Sequence, residues 1–337
     1  MLHNEDTRVK IPAIIHLTRL GYEYFSKEEL VFDPETNIAE NLFLESINQI
    51  NPGSTPNSIK TKLQEIKSVL KNNDKGKEFL KLLIESSDIR LINFEDIEAN
   101  HFSCVTELEY KSGSDFFRPD ITVFINGLPL SFLEVKIPNN KDGIFAERER
   151  INKRFSNPIY NQFFNVTQLL IFSNNMNYDD TGIHPYQGAF YATPSKESVK
   201  FNFFREQEDE IFNNLDEINS EVERKILIDN NLTELHLSSE FEVNKSEQTP
   251  TNKIITSLLS KSRVLFLLKY GLVYVSELKK ETKVVKKHVV RYQQFFAMKK
   301  MGEMIESDIK KGIIWHTQGS GKTALTYFSI KYLLFQF

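Results

Sequence analysis

The sequence predicts an α/β protein: a mixed sheet flanked by helices over residues 1–240, then a connecting segment over 241–285, then the opening strand, loop and helix of a second domain over 286–337. Three observations predict it. Short apolar runs of strand length stand among segments with helical spacing. Asn126-Gly127 lies between two of those runs, and this dipeptide marks a tight hairpin because both residues tolerate positive φ. A glycine-rich stretch at 316–323 separates an apolar run from a helical pattern.

Residues 10–50 read as helical, with Ile14, Leu17 and Leu20, then Leu42, Leu44 and Ile47, near helical spacing. The run Asn51-Pro52-Gly53-Ser54-Thr55-Pro56 breaks the chain. Helices resume over 59–70 and 77–84. Residues 105–110 alternate like a strand, and 111–115 make a turn. Residues 121–125 and 130–136 are the two strands of the Asn126-Gly127 hairpin. A loop at 139–143 leads into a highly charged helix over 144–155. Residues 168–172 are almost wholly apolar, as in a central strand covered on both faces, and 188–192 read as a further strand. Residues 206–224 read as an acidic helix, and 206–245 as a docking surface for partner subunits. Residues 240–253 have the composition of a linker. A helix–strand unit, a basic run over 279–291 and a helix over 293–308 lead to an apolar strand at 312–315.

Composition narrows the function classes. The 337 residues, 40% of them hydrophobic, suffice for about two domains. A net charge of −4 is no global basic signature, so a nucleic-acid partner would have to meet a local patch. The 27 phenylalanines accompany a single tryptophan without periodicity, which reads as core filling. The lone Cys104 excludes an internal disulfide and a cysteine zinc site and suits a reducing compartment. No signal peptide opens the chain. The longest apolar stretch, 264–275, is interrupted by Lys269 and is too short for a bilayer. A cytoplasmic protein with no membrane partner is expected.

The chemistry concentrates in the hairpin. Asp120 opens its first strand, and Glu134-Val135-Lys136 closes its second. Antiparallel pairing brings these to one end, and residues two apart on a strand share a face. Two carboxylates, Asp120 and Glu134, with the Val135 carbonyl between them, make a hard oxygen set suited to Mg²⁺. Such an ion would activate water and stabilise charge on a scissile phosphate. Lys136 would position or deprotonate the water, or stabilise the pentavalent state. An ordinary surface ion pair is the bland reading, but the strands around these charges are strongly apolar, and charges embedded there need a reason.

The stretch Gln318-Gly319-Ser320-Gly321-Lys322-Thr323 reads as a phosphate-binding loop. Backbone N–H groups and a helix N-terminus would cradle a polyphosphate, Lys322 would neutralise it, and Thr323 would reach Mg²⁺. His316 stands where such loops usually have their first glycine. Upstream, Gln294, with Gln293 close behind, is the candidate for reading an adenine edge. Arg118, Arg148, Arg150 and Arg154 are candidate DNA contacts, although the helix that carries the last three also reads as laced by its own ion pairs. The lysine run 279–287 reads first as a solvated face, and the seven histidines show no metal-ligand spacing.

Read together, Pro119-Asp120…Glu134-x-Lys136, the Tyr292-x-Gln294 element and the stretch from Gly312 to Thr323 resemble the restriction subunit of type I restriction–modification enzymes. The runs from Arg118 to Leu130 and from Ser173 to Asp180 resemble it too. The resemblance implies a PD-(D/E)xK nuclease-like sheet followed by the start of a RecA-like superfamily 2 helicase domain. It implies Mg²⁺-dependent cleavage of double-stranded DNA, ATP-driven translocation by the full-length subunit, and modification and specificity subunits as partners. It also implies Glu40 as an extra acid at the metal. The family's Gln-x-x-x-Tyr falls near Ile151 and Phe155 and is not matched. With no second nucleotide motif present, the chain itself is expected neither to hydrolyse ATP nor to translocate, and its last segment is expected to be disordered or associated with another chain. A helicase-fused repair or mobile-element nuclease, or a degenerate nuclease fold acting as a DNA-binding or docking module, are the alternatives.

Overall fold

The computed structural model describes residues 4–85, 88–112, 115–138, 144–178, 187–195, 199–279, 282–309, 311–319 and 321–336. After a short π-turn (Asp6–Lys10), the elements run α1 (Ile11–Arg19), β1 (Glu23–Phe25), α2 (Glu40–Ile50), α3 (Pro56–Val69), α4 (Lys77–Glu85), β2 (Phe102–Thr106), β3 (Tyr110–Ser112), β4 (Asp115–Phe117), β5 (Ile121–Ile125) and β6 (Leu128–Val135). There follow α5 (Phe145–Ser156), α6 (Asn161–Val166), β7 (Leu169–Ser173), β8 (Ala189–Ala192), β9 (Asn202–Phe203), α7 (Ser220–Asp229), α8 (Ser239–Asn244), α9 (Pro250–Leu259), α10 (Lys261–Tyr270), β10 (Leu272–Lys279), β11 (Thr282–Val289), α11 (Tyr292–Glu306) and α12 (Lys322–Gln336). Among the described residues no helix is long and apolar enough to cross a membrane.

Seven strands form one mixed sheet in the order β1-β2-β5-β6-β7-β8-β9. β1 runs parallel to β2, and β6 parallel to β7; the other pairs are antiparallel. The α/β class expected from the sequence is therefore met. β5, β6 and β7 are buried along their whole lengths, as strands covered on both faces must be.

The strand period of two splits their side chains between two cores. Leu133 and Ile171 join α1, α3, α4, α9 and α10 on one side, while Phe132, Leu170 and Phe172 join α5 and α6 on the other. The second core is aromatic: Phe117 meets Phe132 and Phe163 edge-on at centroid distances of 5.5 and 5.4 Å. The phenylalanines there fill core, as composition suggested.

The hairpin turn is where the sequence placed it. Asn126 and Gly127 have φ of 51° and 74°. A Cβ on Gly127 would stand 2.5 Å from Phe43 N and 2.7 Å from Ala39 O, so only glycine lets the N-terminus of α2 pack on the turn.

Several local expectations are corrected. Residues 10–50 are not continuously helical, because Gly21 at φ 83° ends the first helix and β1 joins the sheet edge. The strand expected at 105–110 stops at Thr106, where Glu107 turns to φ 49°. Of the acidic helix expected at 206–224, only Asp209–Asn213 (3₁₀) and the first residues of α7 form. The linker-like stretch 240–253 instead carries α8 and the first turn of α9, both capped by side chains, Ser238 and Thr249. One of its polar residues, Thr249, is a cap, as is Ser238 just before the stretch. No strand forms at 312–315: none of the described strands pairs with it, and Ile313 and Trp315 are 91% and 90% exposed. An apolar run without a neighbouring strand has nothing to satisfy its backbone groups.

Candidate active site

The β5–β6 register pairs Ile121 with Leu133. Asp120, one residue before, and Glu134, one residue after, therefore meet at the same end of the two central strands. Asp120 Oδ2 accepts the Val135 amide hydrogen at 2.7 Å. Lys136 donates its backbone N–H to the Ser173 carbonyl at 2.8 Å, which fixes the residue just past the strand. Its side chain returns over the same face as Glu134. Nζ stands 4.0 Å from Asp120 Oδ2 and 3.9 Å from Glu134 Oε2, and it donates to the Val135 carbonyl at 2.6 Å.

Two further carboxylates complete this cluster, and sequence reasoning assigned neither to it. Glu5 Oε1 lies 3.4 Å from Lys136 Nζ, and Glu147 Oε1 on α5 lies 3.9 Å from it. Glu147 was visible only as part of a charged helix. Glu5 had no local signal, since it joins the site across 131 residues.

The electrostatics follow from burial. Glu134 is 6% exposed. Desolvation, with the neighbouring Asp120 charge, pushes its pKa well above the usual carboxylate range. Asp120 is also raised, by burial first, against the pull of Lys136 and of the Val135 amide. Burial works to lower Lys136, but Asp120, Glu134, Glu147 and Glu5 outweigh it and hold the ammonium above its ordinary pKa. The lysine is thus a firmly protonated cation at the centre of four acids. The oxygens around it, carboxylate and carbonyl, are of the type that binds hard divalent ions.

Glu40 is not in this cluster, which corrects its expected role. Its carboxylate pairs with Lys67, which also binds Asp33. Glu40 starts α2, whose N-terminus packs on the Gly127 turn. That is the opposite end of a strand pair whose rise is about 3.3 Å per residue.

The arginines are distributed differently from one another. Arg118 is half exposed and 3.7 Å from Glu107. Arg148 Nη2 is 3.8 Å from Glu149. Arg150 pairs with Glu147 at 2.6 Å. Arg154 stacks its guanidinium 3.9 Å above the Phe117 ring. Ile151 and Phe155, where the Gln-x-x-x-Tyr places fall, are core residues.

In the glycine-rich stretch, Gly319 and Gly321 take φ of 81° and 83°. Lys322 Nζ donates to the His316 and Thr317 carbonyls at 3.3 and 3.1 Å, closing the loop on itself. Gln318 and Thr323 are exposed, and Ser320 lies outside the described residues. Gln294 is turned inward and is 2% exposed. Its Oε1 accepts the Arg291 amide hydrogen at 2.9 Å, and its Nε2 donates to the Gly321 carbonyl at 3.0 Å. Gln293, a helical step away on another face, lines a cleft of about 750 Å³ with Tyr292, Trp315, His316 and Thr317.

Comparison with known proteins fits this picture. Residues 3–179 match the family described as type I restriction enzyme R protein N terminus. The chain belongs to that family. Residues 293–336 of this R-protein N terminus also match the SWI2/SNF2 ATPase family. Three relatives are similar to it. A putative type I restriction enzyme MjaIXP endonuclease subunit from Methanocaldococcus jannaschii is 27% identical over 99% of this chain and 32% of its own length. The putative MjaVIIP endonuclease subunit of the same organism is 27% identical over 74% of this chain and 20% of its own. The type I restriction enzyme HindI endonuclease subunit of Haemophilus influenzae is 25% identical over 74% and 20% respectively. The chain thus spans between a fifth and a third of the length of these relatives.

Proposed function

We propose that this R-protein N terminus carries the endonuclease centre of an ATP-dependent type I restriction enzyme, a PD-(D/E)xK-type site that hydrolyses phosphodiester bonds of double-stranded DNA with Mg²⁺. The observation that carries the proposal is the convergence of Asp120, Glu134 and Lys136 at one end of two central strands, with every pair bridged by the Lys136 ammonium or the Val135 backbone.

The donor set suits Mg²⁺. Asp120 and Glu134 would hold the ion with the Val135 carbonyl and water; among the described residues no group of three or more His, Cys, Asp or Glu side chains offers an alternative. When bound, Mg²⁺ supplies a more acidic water and stabilises charge developing on the phosphate. The Val135 amide fixes the Asp120 carboxylate at the strand end, where it would serve as a ligand. Lys136, held above its ordinary pKa by the surrounding carboxylates, would position the attacking water. Glu5 and Glu147 hold the ammonium between reactions.

In the intact subunit, Lys322 and Thr323 would serve the phosphates of ATP with its Mg²⁺, and ATP would drive translocation beside modification and specificity subunits. The SWI2/SNF2 match and the two glycines at positive φ support that part. A cytoplasmic location follows from the proposed substrate.

Calorimetry with Mg²⁺ on wild type and Asp120→Asn, and plasmid nicking by wild type and Lys136→Met, test the reading. We expect Mg²⁺ binding that Asp120→Asn loses, and nicking that Lys136→Met loses. Wild-type protein without any Mg²⁺ uptake would overturn it.

A further inference from the structure

We propose that Arg154 is the residue that grips the scissile phosphate, holding its non-bridging oxygens with a guanidinium clamped on Phe117. This rests on the nuclease reading and goes beyond it, because it assigns substrate contact to one cation among several.

A phosphodiester approaching Glu5, Asp120, Glu134 and Glu147 enters a strongly acidic surround and needs a positive group with free donors. Most nearby cations are spent. Lys136 is held by the acids and by the Val135 carbonyl. Arg150 is bound to Glu147, and Arg118 leans on Glu107. Arg154 differs. It stands two helical turns after Glu147, so both side chains share the face of α5 turned toward the strand residues Phe132 and Glu134. Phe117 holds its plane at 3.9 Å. It makes no ion pair with the described residues, and its buried Nη1 has no hydrogen-bond partner. Yet the charges of Glu134 and Glu147 both act on it, so it borders the cluster without being consumed by it.

A buried donor left unpaired is costly. A guanidinium seated over an aromatic ring, with Nη1 unpaired, gives up no ion pair when it turns its fork toward two phosphate oxygens. The aromatic platform explains why an arginine serves here: a lysine keeps N–H donors but loses the planar stacking and the paired geometry of the fork.

The test uses the chain itself, with Arg154→Gln and Arg154→Lys read for duplex binding by fluorescence anisotropy in Ca²⁺, for Mg²⁺ affinity by calorimetry, and for plasmid nicking. Removing a positive charge beside Glu134 should tighten Mg²⁺ binding while duplex binding or nicking falls roughly tenfold, as loss of a charge-assisted fork implies. Arg154→Lys should recover only part of that loss. The opposite signs are the diagnostic, since damage to packing would weaken both ligands. Unchanged duplex binding and nicking in Arg154→Gln, or a parallel fall in Mg²⁺ affinity, would overturn the assignment. Wild type that takes up no Mg²⁺ would remove the nuclease reading beneath it, a result distinct from an Arg154 variant behaving as wild type.

Discussion

Asp120 and Val135 are tied across the β5–β6 pair by a 2.7 Å hydrogen bond from the Val135 amide to the Asp120 carboxylate. The same carboxylate is a proposed metal ligand, so one side chain has a structural task and a chemical one. The two separate by substitution. Asp120→Ala leaves the Val135 amide without a partner and should cost about 1–3 kcal/mol in a denaturant titration. Asp120→Asn keeps an acceptor oxygen and should unfold near wild type, while its Mg²⁺ affinity falls at least about tenfold from the missing charge. Equal destabilisation by both would show that the hydrogen bond is not what anchors the strand exit.

Glu134 gives a pH test. Burial and the Asp120 charge raise its pKa in the folded chain. The unfolded chain ionises this group more readily, so its contribution favours folding at low pH and is lost as pH rises through the folded pKa. Glu134→Gln, neutral throughout, should therefore melt about 2–4 °C above wild type at pH 8 in metal-free buffer. The gap should close as pH approaches 5. A gap that widened on acidification would mean that Glu134 is ionised and stabilising in the fold.

Gly127→Ala probes the far end of the hairpin. The added methyl would stand 2.5 Å from a backbone nitrogen at a φ of 74°, a combination of strain and overlap worth about 2–4 kcal/mol. Chemical denaturation should show that loss, and Mg²⁺ affinity measured where the protein is still folded should stay near wild type.

The two glutamines of α11 should behave differently. Gln294→Ala removes the link between Arg291 and Gly321. Hydrogen exchange should then speed up at the 291–295 and 321–325 amides. Gln293→Ala should leave exchange unchanged and weaken discrimination of adenosine from other nucleotides, read with fluorescent analogues. Faster exchange in the Gln293 variant alone would reverse these roles.

Much of the site was legible because it is local. Asp120, Glu134 and Lys136 lie on one hairpin whose turn residues announce themselves, so strand periodicity alone brings them together. Glu5 and Glu147 were not assigned because tertiary packing delivers them, one from the segment before α1 and one from the helix laid over the sheet. Glu40 misled for the same reason: its place in the chain says nothing about which end of the hairpin α2 packs on. β1 is only three residues long, too short for a pattern. The stretch 240–253 misled because capping residues and linker residues draw on the same alphabet.

That last misreading has a practical edge. α9 packs against α1 and β8, its Thr251 hydroxyl bonds Ser173 at the end of β7, and its Thr256 hydroxyl bonds the buried His16. Ser173 is also the residue whose carbonyl receives the Lys136 amide. A chain cut at residue 240 would uncover the faces of α1 and β8 on which α9 packs and loosen the strand end that seats the lysine. Trimming toward a minimal nuclease should therefore stop no earlier than the end of α10, and an inactive shorter piece would say nothing about the chemistry of the hairpin.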